Sequence, residues 1–144
     1  MAPFTPQQAI RDAVEAERKA AEFYDLLAEG ARDPEAKAFL AAMARAEVEH
    51  AESILALGTR LAGDLPARPA GDVELVETLP EWRFAEGLSL DQALRVALDA
   101  EHQAAIYYDA IADLLPAPFD AFFRDLAGVE EQHARAIEAR AAGR

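Results

Sequence analysis

Two short motifs, Glu47-x-x-His50 and Glu130-x-x-His133, carry the chemistry most legible in this chain. Residues three apart on a helix share a face, so each motif presents a carboxylate oxygen and an imidazole nitrogen to the same side. A further glutamate precedes each motif at a matching separation, Glu17 before the first and Glu101 before the second, and a tyrosine follows two helical turns later, Tyr24 and Tyr108. The two halves of the chain therefore repeat one grammar. These residue types are metal ligands, and their number sets the charge of the metal. Burying a carboxylate costs several kcal/mol and like charges add repulsion, so four clustered glutamates call for compensation. Two divalent cations cancel four negative charges.

The chain has no cysteine, which excludes disulfides, thiolate zinc sites, iron–sulfur clusters and cysteine nucleophiles. Any metal must rest on oxygen and imidazole nitrogen.

Four helices have to position these donors. Thr5-Pro6-Gln7-Gln8 supplies an N-cap, a proline at the first helical position and a glutamine at the third, and Gly30 follows the last periodic residue, so the first helix is predicted over about 6–29. Asp33-Pro34 restarts a helix that runs to about 62, before Gly63 and the proline-containing LPARPAG. Ser89 with Gln92 forms a capping box for a third helix over about 90–115, and Pro116 and Pro118 separate it from a fourth over about 118–141. At heptad spacing each helix has an apolar seam interrupted at its middle. The first reads Ile10, Ala13, Glu17, Ala20, Tyr24, Leu27; the second Leu40, Met43, Glu47, His50, Ile54, Leu57, Leu61. The third reads Leu94, Ala97, Glu101, Ala104, Tyr108, Ile111, Leu115; the fourth Phe119, Phe123, Leu126, Glu130, His133, Ile137.

Tight turns join the first helix to the second and the third to the fourth, whereas a crossover over about 63–88 separates the two hairpins, far longer than the usual connection between adjacent antiparallel helices. A crossover that sets the second and third helices parallel is the expected plan. Each glutamate lies about 12–15 residues from its hairpin bend, which at 1.5 Å per residue brings all four to nearly one height at mid-bundle. The segment VELVETL at 73–79 could be extended, and Trp82 and Phe84 are expected to seat the crossover on the helices.

At 144 residues and 52% apolar content the chain suits one domain. With 27 acidic against 14 basic residues and a net charge of −13, it should repel rather than bind nucleic acid. The opening MAPFTPQQ has no basic segment followed by an apolar one, and no apolar run nears the roughly 18 residues that span a bilayer. A soluble, cytoplasmic protein with no membrane partner is expected.

The pattern resembles the ferritin-like di-iron carboxylate proteins, and among them rubrerythrins and bacterioferritins most closely, over nearly the whole chain. The resemblance implies an all-α fold, a single ferritin-like four-helix bundle over 1–144 made of two hairpins and a long crossover. It implies that Glu47 and Glu130 bridge two metal ions, that Glu17 and His50 complete one, and that Glu101 and His133 complete the other. Glu17, Glu47, Glu101 and Glu130 are then the catalytic carboxylates, and open positions remain for dioxygen or hydrogen peroxide. Iron suits this mixed shell, and manganese or zinc fits the same donors. A homo-oligomer, dimer or larger, is also expected. Two departures stand out. Rubrerythrins commonly carry a further carboxylate three residues after the third-helix glutamate, where this chain has Ala104. They also often carry a cysteine-ligated rubredoxin domain, so electrons must here come from an external donor or from substrate iron.

Three functions follow: a peroxide- or oxygen-consuming oxidoreductase acting against oxidative stress, an iron-handling protein that oxidises Fe²⁺ and stores or passes on the product, and a scaffold whose metal is structural. Tyr24 and Tyr108 fit either aromatic packing or hydrogen bonding to a ligand carboxylate of the other hairpin. His102 is rotated about 100° from Glu101 and reads as a helix-edge histidine. Glu15, Glu22, Glu49 and Glu131 lie off the seams, on a solvated face or along a path of iron entry.

Overall fold

Local signals set the ends of the helices in the computed structural model, which describes residues 5–66 and 89–143. Helix α1 runs Pro6–Gly30, with Thr5 as N-cap accepting from the Gln8 amide at 3.1 Å. The Gln8 side chain turns forward to Asp12 Oδ1 at 3.0 Å. Helix α2 runs Pro34–Ala62 behind Asp33, which accepts from the Ala36 amide at 2.9 Å, and it ends at Gly63, whose φ of +80° is the left-handed region that glycine enters freely. Helix α3, Leu90–Leu114, opens with the full Ser89/Gln92 capping box. Helix α4, Phe119–Ala142, has no side-chain cap: Pro118 is the residue before the helix rather than its first turn.

Ends differ from the expected ones by a single residue, because Gly30 completes α1, Leu115 caps α3 and α4 runs on to Ala142. Among the described residues there is no strand. The segment 73–79, Trp82, Phe84 and the crossover from residue 67 onward lie outside the described residues. No described helix is long and apolar enough to cross a membrane.

Helix α1 packs on α2 in one compact unit, and α3 packs on α4 in a second. In the first unit Gln7 Nε2 donates to the Ala62 carbonyl at 3.1 Å, tying the open end of the hairpin. Near it the backbones come close: a Cβ at buried Gly58 would collide with Cγ2 of Ile10, which is wholly buried. This corrects the expected seam. Leu57 and Leu61 are 45% and 44% exposed, and the core line passes from Ile54 to Gly58 instead. Leu27 and Phe119 are likewise only half-buried.

In the second unit Tyr108 meets Phe123 with ring centroids 6.0 Å apart, and Phe123 stands edge-on to Phe122 at 5.3 Å. On the outside Arg124 joins the helices through Asp113 at 2.7 Å and Asp109 at 3.6 Å. The hydrogen bond that Arg124 donates to Asp113, and then the charges of Asp113, Asp109 and Asp120, hold the guanidinium above its ordinary range, so it is charged at every pH the protein meets.

Candidate metal centre

Each hairpin folds its own three-residue donor set. In the first, α1 supplies Glu17 and α2 supplies Glu47 and His50, with one ligand atom from each within 4.8 Å of the others. In the second, α3 supplies Glu101 and α4 supplies Glu130 and His133, again within 4.8 Å. His50 Nδ1 lies 2.7 Å from Glu17 Oε1, and His133 Nδ1 lies 3.7 Å from Glu101 Oε2. The three-residue spacing of each Glu-x-x-His aligns carboxylate and imidazole on one face, and hairpin packing brings the upstream glutamate to them.

The four carboxylates are buried: Glu17 is 2% exposed, and Glu47, Glu101 and Glu130 are fully enclosed. Burial of this kind is rare for glutamate unless an opposite charge or a proton offsets it. The imidazoles stand closer to solvent, with 11% of the His50 side chain and 16% of the His133 side chain exposed. Donors that each sit about 2.1 Å from a common ion are about 3–4 Å apart, and both pairs are near that separation. Two carboxylates and one imidazole, with no thiolate in the chain, suit a divalent first-row ion such as iron, manganese or zinc. The donors fit the metal that their types imply.

The comparisons with known proteins agree with this geometry. Residues 8–141 match the Rubrerythrin family. The chain belongs to that family. Rubrerythrins are part of the ferritin-like di-iron superfamily, and the fold is accordingly an all-α ferritin-like four-helix bundle. A solved structure of a hypothetical protein from Pyrococcus furiosus is similar at 25% identity, with a TM-score of 0.71 over 99% of this chain and 91% of that one. No curated protein matches.

Within this rubrerythrin-family chain, residues around the donors divide into packing and surface. Tyr24 and Tyr108 are fully buried, Tyr24 edge-on to Phe23 at 5.6 Å, so aromatic packing accounts for their rings. Glu22 and Glu49 are exposed, while half-buried Glu15 lies 3.9 Å from Arg11. Ala20 and Ala104, three residues after Glu17 and Glu101 respectively, are both buried. One buried carboxylate escaped the sequence reading: Asp12 is 3% exposed. Its only local signal was Gln8 one turn earlier, whose amide it accepts.

Proposed function

We propose that Glu17, Glu47 and His50, with Glu101, Glu130 and His133, hold one dinuclear metal centre, that its metal is iron, and that the protein is a rubrerythrin-like oxidoreductase. The observation that carries this reading is the duplicated donor set, two buried carboxylates and an imidazole in each hairpin. In it Glu47 and Glu130 bridge, Glu17 and His50 complete one ion's shell, and Glu101 and His133 complete the other's. Iron bound there supplies redox chemistry toward dioxygen or hydrogen peroxide. The carboxylates neutralise the ions, and their burial keeps bulk water away from the donors. The partly exposed imidazoles mark the side on which each donor set meets solvent.

Ala20 and Ala104 bear on the choice of oxidant. Neither hairpin adds a carboxylate one turn after its first ligand, so the two shells have the same composition. Matching shells favour reaction with dioxygen over selectivity for peroxide. They also favour a second reading, an iron-handling protein that oxidises Fe²⁺, because a chain without cysteine has no thiolate-held electron relay of its own and substrate iron can act as the reductant. The reading carries with it a single domain over 1–144, a cytoplasmic setting, an external electron donor if turnover is not driven by iron, and a homo-oligomer.

The test is stopped-flow oxidation of the di-ferrous protein by dioxygen and, separately, by peroxide, together with the number of Fe²⁺ ions oxidised per chain. Fast reaction with dioxygen is expected. Turnover that stops at two irons supports the oxidoreductase, and continued turnover to a mineral supports iron handling. A site that ignores dioxygen and consumes peroxide quickly returns the protein to the peroxidase class.

A further inference from the structure

The internal repeat acts as its own control. Superposing Glu17 on Glu101 and Glu47 on Glu130 along the sequence matches the six donors, yet the residues just outside them diverge. Arg18 corresponds to His102, Val48 to Glu131 and Leu55 to Glu138. Thus the outer face of the first hairpin carries a cation and two apolar side chains where the second carries an imidazole and two carboxylates. His102 Nδ1 lies 3.7 Å from Glu131 Oε1, and its Nε2 lies 3.9 Å from Glu138 Oε1. Both separations exceed the limit of about 3.2 Å for an N–H···O hydrogen bond. The first lies within the roughly 3–4 Å that separates two donors on one ion. It equals the 3.7 Å between His133 and Glu101 in the buried donor set.

We infer that His102 and Glu131 form a second, solvent-facing binding site for a divalent first-row metal ion, with Glu138 orienting the imidazole. The ion sits between His102 Nδ1 and a Glu131 oxygen, and water fills the rest of its shell. At 3.9 Å the Glu138 carboxylate makes no hydrogen bond to Nε2, but its negative charge favours the tautomer that carries the proton there and leaves Nδ1 open to the ion. The three side chains are 43%, 44% and 54% exposed, so an ion reaches them directly from solution. Two protein donors on an exposed face bind more weakly than the three of a buried set. His102 and Glu131 each adjoin a residue of the second hairpin's buried set, Glu101 and Glu130, so the outer site is placed to capture metal for it. That role, unlike the binding itself, rests on the dinuclear reading above.

Titration of the metal-free protein with Zn²⁺, followed through the imidazole NMR signals, tests this, since the chain has only three histidines. The expected result is that the first two equivalents shift His50 and His133, and a third, weaker equivalent shifts His102. His102→Ala and Glu131→Gln should each abolish the third equivalent and keep the first two, and Glu138→Gln should weaken it. All three positions are exposed, and an unchanged melting curve for each metal-free variant verifies its fold. The inference is overturned if His102 stays unmoved past three equivalents, or if its shift survives Glu131→Gln, which would mark a lone surface histidine. Movement of His102 without His50 and His133 would uphold the outer site while contradicting the dinuclear reading.

Discussion

His50 and Glu17 meet across α1 and α2 with Nδ1 and Oε1 2.7 Å apart, whereas their counterparts His133 and Glu101 stand 3.7 Å apart. The shorter separation falls just under, and the longer within, the roughly 3–4 Å between two donors on one ion, so the first hairpin holds the tighter of two similar donor pairs.

The first prediction is one of stoichiometry and stability. The folded chain should bind two divalent ions tightly, and at a free concentration about 100 times the dissociation constant each should stabilise it by about 2.7 kcal/mol. Elemental analysis and melting curves with and without a chelator check this. A single tight equivalent under metal-replete conditions contradicts the dinuclear assignment.

Replacing a bridging ligand should differ from replacing a terminal one. Glu47→Ala or Glu130→Ala removes an oxygen from both ions and should reduce occupancy of the pair, while Glu17→Ala should chiefly affect one ion. Calorimetric titration of the three variants decides it, and equal single-site losses in all of them would falsify the bridging roles.

Ala104 is the position at which oxidant preference should respond. Ala104→Glu adds a carboxylate one turn from Glu101 in a buried setting and makes the two shells unlike. The ratio of peroxide to dioxygen rate constants in stopped flow should rise by about tenfold or more. An unchanged ratio in a variant that retains two metals would remove position 104 from the argument.

Packing at the end of the first hairpin gives a prediction independent of metal. Gly58→Ala gains about 1 kcal/mol of helix propensity but drives a methyl into Ile10 Cγ2, which sits on a β-branched side chain with little rotameric freedom. Overpacking of this kind costs about 1–3 kcal/mol, so a net loss of about 1 kcal/mol is expected in denaturant unfolding. Ile10→Leu, which has no methyl on Cβ, should recover most of it in the double variant.

Helix number, helix ends and the shared face of each Glu-x-x-His were legible in the sequence because each rests on local physics. Thr5, Asp33 and Ser89 cap the amides three residues ahead, prolines start helices, and Glu-x-x-His shares a face whatever surrounds it. The partner helix decided the rest. A straight helix drifts about 20° per heptad from a strict seven-residue seam, so past Ile54 the buried line moves to Gly58 and leaves Leu57 and Leu61 in solvent. No residue near Gly58 in sequence announces this, because it depends on how closely Ile10 of α1 approaches. The same holds for His102: its own helix places it at an edge, and only the packing of α4 beside α3 sets Glu131 and Glu138 against its two nitrogens.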